Sequence, residues 1–148
     1  AKRMRGKVPI IYSSERNRAI ALNWKVKLNE TGKIPAFWHA FPELNHNEMT
    51  GFDAVPATQG LLKQFVFIFL QDGHDDPRII KRMALTRQLY QERGMTVEPV
   101  PLREGECFRK TFASLLLADW TAYYAAKGYG TEPEQVPMVE EVKGKMAV

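Results

Sequence analysis

Between Glu43 and Glu48 the sequence places two glutamates, two asparagines and a histidine, directly behind Pro42 and the aromatic run Phe37-Trp-His-Ala-Phe41. Imidazole titrates near neutrality, and carboxylates beside it can take up or deliver protons. His46 with Glu43, Glu48 and Glu30 could therefore perform general acid–base chemistry. The same residue types also suit a polar rim in which His46 caps a helix and the carboxylates face water. The residues alone leave both accounts open. A metal would have to use His39 and His46, seven positions apart, together with Glu43 or Glu48. That spacing is weak as a metal signal, so no metal is expected. There is no GxGxxG after the first strand, no Walker loop, no GxSxG and no HExxH, which argues against a dinucleotide site or a P-loop.

Alternating strands and helices must position these groups. Val8–Ser14 reads as a buried strand whose Ser-Ser ending delivers the chain to a helix cap. Residues 15–30 read as a helix with Ile20, Trp24 and Leu28 on one stripe and Arg18, Lys25 and Lys27 off it. Thr31-Gly-Lys-Ile-Pro35 ends that helix, and 35–41 is a second strand. Residues 63–72 form the clearest strand, apolar throughout as if covered on both faces. A helix over 75–93 follows, with Ile79, Ile80, Met83, Leu89 and Tyr90 expected on its apolar face. Then come a short strand over 95–101 and a long helix over 105–127. Phe108, Phe112, Leu115, Leu116, Trp120 and Tyr123 are expected on the buried face of that helix. Pro137 opens a last helix in the favoured first-turn position. This order predicts an α/β three-layer sandwich, with a mainly parallel sheet flanked by helices in a flavodoxin-like arrangement. Ligands of such sheets bind beyond the carboxyl ends of the strands, where strand order reverses. The segment 42–51 follows the carboxyl end of the second strand. Asn29-Glu30 is expected to lie close to it, since only a short turn separates the first helix from that strand.

The 148 residues fit one domain with a real core. No apolar run is long enough to span a bilayer. A single cysteine, Cys107, excludes an internal disulfide, fits a cytoplasmic setting, and reads as a packed small residue at a helix start. Net charge is +4, but the only dense basic run is residues 1–7, and elsewhere acids and bases alternate. That pattern fits a solvated surface and an interdomain linker rather than a nucleic-acid patch, and a mild positive field would help capture an anionic small substrate.

The stretch from Val8 to Phe52 resembles the second sugar-isomerase (SIS) domain of the bifunctional phosphoglucose/phosphomannose isomerases. The resemblance rests on Asn29-Glu30 ending a helix, Lys33-Ile34 in the turn, and Pro42-Glu-Leu-Asn-His-Asn47 after a strand. A proline-initiated final helix carrying a lysine, Val136-Pro-Met-Val-Glu-Glu-Val-Lys143, extends it to the whole chain. The resemblance implies interconversion of glucose 6-phosphate or mannose 6-phosphate with fructose 6-phosphate through a cis-enediol, with no metal or organic cofactor. It implies that Glu30 moves the proton between C1 and C2. His46 serves ring opening, reaching the site from the neighbouring subunit of a homodimer. Lys143 serves ring opening and the substrate oxygens, with Lys145 as a second candidate. Arg18, Glu43 and Asn47 are the expected substrate-binding residues. The setting it implies is cytoplasmic sugar metabolism, in glycolysis and gluconeogenesis.

Two departures accompany the likeness. Nothing resembles the first SIS domain, whose Ser/Thr-rich loops hold the sugar phosphate. Residues 1–7 are therefore expected to be a linker, 8–148 the second SIS domain, and the isolated chain inactive. Val136 stands where the family carries a polar residue, which leaves the glucose-versus-mannose preference open. The competing reading is a non-catalytic phosphosugar-binding or regulatory SIS domain, with neither nucleic acid nor membrane as partner.

Overall fold

The computed structural model describes residues 1–147. Four strands, β1 (Val8–Ser14), β2 (Phe37–Phe41), β3 (Phe65–Gln71) and β4 (Thr96–Pro101), form one parallel sheet in the order β2-β1-β3-β4. The register sets Ile10 beside Phe37 and Phe67, and Phe67 beside Val97. Among the described residues six α-helices accompany it: α1 (Arg18–Glu30), α2 (Glu48–Gly51), α3 (Gln59–Leu62), α4 (Pro77–Glu92), α5 (Cys107–Tyr129) and α6 (Pro137–Met146). The three-layer α/β expectation holds, with every expected element end within three residues of the observed one. No helix among the described residues is long and apolar enough to cross a membrane.

Alternation along the strands sorts the core into two chemistries. Ile11 of β1 and Val66, Ile68 and Leu70 of β3 face α1 and α5, where they meet Trp24, Leu28 and the small residues Ala118 and Ala122. Tyr12, Phe67 and Phe69 face the opposite way and pack with Phe41, Tyr90 and Met83 under α4. Both faces of β3 are thereby covered, which explains its unbroken apolar sequence. Each fully buried side chain of this size contributes roughly 1.5–3 kcal/mol relative to exposure. Residues 1–7 do not hang free of this core. Met4 is buried among the α5-side residues, and the Gly6 N–H donates to Tyr129 Oη at the end of α5.

The rotation of α5 differs from the expected one. Phe108 is 76% exposed and Trp120 52%, and Phe112, Leu116 and Tyr123 also face outward, while Leu115 is half-buried. The buried face is instead Lys110, Ser114, Ala118, Ala122, Ala125 and Ala126. Polar bonds fix this choice. Lys110, 6% exposed, forms an ion pair with Asp72, 3% exposed, just past the end of β3. One turn on, Ser114 Oγ accepts from Trp24 Nε1 at 2.9 Å. Only small residues then fit where the helix lies against α1 and the sheet. On α4 the expected apolar face is also trimmed, with Met83 and Tyr90 buried, Ile79 and Leu89 half-buried, and Ile80 exposed.

Strand order reverses between β1 and β3, and the carboxyl ends there carry a buried polar network. Ser14 Oγ donates to Asp75 Oδ1 at 2.8 Å rather than capping the following helix, and Asn17 Nδ2 donates to Ser14 and Asp72. Burial alone raises the Asp72 carboxyl, but hydrogen bonds from Lys110, the His74 N–H and Asn17 outweigh it and hold it at about 2. Burial raises the Asp75 carboxyl, against the Ser14 hydrogen bond.

Two outcomes follow for stability. Ala122→Leu overpacks the contact of α5 with α1 and the sheet and lowers stability by about 1–3 kcal/mol in urea unfolding, whereas the outward Phe112→Ser stays within about 0.5 kcal/mol. A carboxyl with a depressed native pKa gives stability that is complete above its unfolded value near 4 and is lost as pH falls toward 2. Wild type is therefore expected to lose stability more steeply over that window than Asp72→Asn.

Candidate active site

Glu30 and the Glu43–Glu48 cluster, with Arg18 and Lys143 apart from both, fall at the two ends of β2. Beyond its carboxyl end, Pro42 leads into a 3-10 turn, Glu43–Asn45, whose Leu44 is fully buried. His46 closes that turn through its backbone N–H to Glu43 O, and its side chain is exposed. Asn47 caps α2 by accepting the Glu48 N–H, and its Nδ2 donates to Glu43 Oε1 at 2.9 Å. Asn45 Nδ2 donates to Thr86 Oγ1 of α4 at 2.9 Å. Glu48 turns inward: Oε1 accepts from Tyr12 Oη at 2.5 Å and Oε2 meets His39 Nδ1 at 2.6 Å. Burial, with Tyr90 and Glu48 nearby, pushes the Tyr12 hydroxyl up, so it stays a proton donor. Burial likewise raises Tyr90, to about 12.

Glu30 stands at the other end. It is the last residue of α1 and is exposed. The chain reverses immediately after it. Gly32 is needed there because a Cβ would lie 2.6 Å from Leu28 O, and Lys33 takes the left-handed conformation at φ 57. Asn29 Nδ2 donates to Ile34 O at 2.9 Å, and Lys33 Nζ bonds both Glu30 O and Gln135 O. The Lys33 bridge draws the segment ahead of α6 against Glu30. Glu30, Thr31, Val136, Leu116, Trp120 and Tyr123 consequently line one groove of about 800 Å³. Among the described residues the Glu30 carboxylate has no hydrogen-bond or ion-pair partner. Lys143 lies farther along α6, exposed and paired with Glu140 at 2.7 Å.

Glu30 and His46 are therefore not neighbours within the chain. In a parallel crossover α1 runs back to the amino end of the sheet, and β2 then runs forward again. Five residues of β2 alone span on the order of 13 Å. This corrects the expectation that Asn29-Glu30 approaches segment 42–51. That segment also follows the edge strand rather than the point of strand reversal between β1 and β3. Arg18 sits in the first turn of α1, at the opposite end from Glu30, paired with Glu15 at 2.7 Å. The structure thus gathers Glu43, His46 and Asn47 in one turn and Glu30 with Val136 in another place. Arg18 joins neither group.

Cys107, expected to be packed, is exposed in the first turn of α5. No group of three or more His, Cys, Asp or Glu among the described residues is arranged to hold a metal. Sequence reading missed Lys110 as a buried cation and the tie of Glu48 to Tyr12. A tyrosine in the middle of an inner strand was the available signal for the second, since a buried phenol needs a partner.

Comparison with known proteins places this geometry. The model of the bacterial phospho-glucose isomerase C-terminal SIS domain matches residues 1–146. A bifunctional phosphoglucose/phosphomannose isomerase of Aquifex aeolicus is 32% identical over 148 residues, covering 99% of this chain and 44% of that protein. Its counterpart in Thermoplasma volcanium is 33% identical over 140 residues, with 95% and 43% covered. The chain spans less than half the length of these relatives. A crystal structure of a glucose-6-phosphate isomerase like protein from Thermus thermophilus has the same fold, with a TM-score of 0.70 and 17% identity over 91% of this chain and 44% of that one. With the match to its model running through nearly every described residue, the chain belongs to the family of bacterial phospho-glucose isomerase C-terminal SIS domains.

Proposed function

We propose that this chain is the C-terminal half of an isomerase that interconverts fructose 6-phosphate with glucose 6-phosphate or mannose 6-phosphate through a cis-enediol. The observation that carries this reading is Glu30, whose carboxylate has no partner within the described chain and opens onto a groove shared with Val136. A hydrogen on carbon beside a carbonyl is weakly acidic, so a fixed carboxylate within hydrogen-bond reach is what the chemistry requires.

The proposed sequence uses three side chains. His46 takes the proton of the anomeric hydroxyl, and a proton returns to the ring oxygen as the sugar opens. Glu30 then removes the proton from C1 of the ketose, the electron pair forms the C1–C2 double bond, and the C2 carbonyl oxygen takes up a proton to become an enediol hydroxyl. Redelivery of the proton to C2, as the O1 hydroxyl gives up a proton to balance the one taken up at O2, leaves the carbonyl at C1 and completes the aldose. Lys143 stabilises the charge that develops on the substrate oxygens. Because β2 holds His46 and Glu30 at opposite ends, we assign His46 of each site to a second copy of the chain.

The relatives are more than twice as long as this chain, and the first SIS domain of such a protein is the proposed source of the phosphate-binding loops. Its proposed seat is the outward face of α5, where Leu116, Trp120 and Tyr123 border the Glu30 groove. Remote phosphate binding of this kind orients the reacting carbon.

The test is an isomerase assay on the full-length protein with fructose 6-phosphate. Glu30→Ala is expected to lose on the order of a thousandfold in kcat with stability nearly unchanged. Binding of the sugar phosphate without conversion by wild type would instead indicate a phosphosugar-binding regulatory domain. Co-expression of Glu30→Ala and His46→Ala chains is expected to recover up to about a quarter of wild-type activity. Half of randomly paired dimers are mixed, and one of the two sites in each keeps both groups. No recovery would place both residues in the same copy's site.

A further inference from the structure

Glu48 has no part in the proton transfers above, yet it makes two short hydrogen bonds to the body of the domain. It lies two residues after His46, and its carboxylate bridges Tyr12 Oη on the inner strand β1 and His39 Nδ1 on the edge strand β2. Tyr12 is fully buried and wedged between Phe41, Phe67, Phe69 and Tyr90, with ring centroids 5.3–6.4 Å away. Glu48 is thus tied to one of the least movable side chains in the domain. On the other side of His46, two residues earlier, Leu44 is fully buried. The His46 side chain itself has no hydrogen-bond partner among the described residues. Its aim is set by the backbone slung between these two anchors.

We infer that Glu48 is the positioning residue for His46, holding the imidazole-bearing turn at a fixed height above the carboxyl end of β2. The inference rests on the reading of His46 as the ring-opening group. It assigns Glu48 no contact with substrate. Bonds of His46's neighbours to one another, such as Asn47 to Glu43, stiffen the turn without tying it to the sheet. The Asn45 bond to Thr86 reaches α4 rather than a strand. Glu48 makes the turn's side-chain hydrogen bonds to the strands themselves.

The experiment uses the full-length enzyme and two ketose substrates: fructose 6-phosphate, which must open its ring, and its 5-deoxy analogue, which cannot close to the same ring. Glu48→Ala is expected to lower kcat on fructose 6-phosphate by roughly 10- to 100-fold with KM within about twofold, the scale of an ångström of misplacement. On the open-chain analogue the loss stays below about threefold. In a His46→Ala background, adding Glu48→Ala costs less than about twofold, because residues acting through one group are not additive. Glu48→Gln keeps a carbonyl for Tyr12 and an amide for His39, and is expected to restore activity to within about fivefold of wild type. Tyr12→Phe keeps the core volume and removes one of the two bonds. It is expected to show the Glu48→Ala pattern in weaker form, and it serves if Glu48→Ala fails to fold. Equal losses on both substrates, or a full extra loss in the His46→Ala background, would overturn the inference. So would a Glu48→Gln variant as poor as Glu48→Ala. A His46→Ala variant with wild-type activity on fructose 6-phosphate sinks the ring-opening reading itself. A damaged His46→Ala beside unaffected Glu48 variants sinks the positioning role alone.

Discussion

The buried ion pair between Lys110 and Asp72 decides how the rest of the domain is arranged. A lysine is almost never buried without a partner, and a charge left alone there costs several kcal/mol. Once Lys110 faces Asp72, helical periodicity sends Ser114, Ala118 and Ala122 to the sheet as well, since they follow at four-residue steps. Trp24 donates to Ser114 and confirms the same rotation from α1. The bulky side chains of α5 then have nowhere to go but outward. Asp72 can serve because β3 delivers it to the point of strand reversal, where Asn17 and the His74 N–H complete its shell.

A second constraint is the length of β2. A strand is a nearly inextensible spacer, and here it separates the turn holding His46 from the groove holding Glu30. Neither the loop at one end nor the reversal at the other has slack to close that gap. Leu44 and Glu48 fasten the first, and Gly32 with the Lys33 bridge fastens the second. A site that needs both groups must therefore be completed by something outside the single domain. The proposed mechanism meets that requirement with a second copy and a preceding domain.

Much of this was legible in the residues. β3 announces itself by six consecutive apolar positions, and the strand–helix alternation fixes a parallel sheet. The helix stop from Thr31 to Pro35 could be read from its Gly-then-Pro punctuation, and the family from the Asn29–Ile34 and Pro42–Asn47 segments. What could not be read was rotation and distance. Phe108, Phe112 and Trp120 look like a core face because hydrophobicity usually marks one, and nothing local reveals that a lysine two positions from Phe108 is the buried group. Glu30 and His46 look close because few residues part them, but a crossover converts short sequence separation into opposite ends of the sheet. Val136, more than a hundred positions from any α1 residue, is drawn to Glu30 by the Lys33 side chain bonding the Gln135 carbonyl, 102 positions away.

The two faces of α5 have a consequence for how such a domain can change over time. Its inward face is small and polar enough to be specified by α1, the sheet and Asp72, while its outward face is set by none of them. Substitutions on the outside can change the surface offered to the proposed first domain and leave the fold of this one intact. Substitutions on the inside can unfold it without touching that surface. Architecture and association are thus written in separate positions of a single helix, open to selection one at a time.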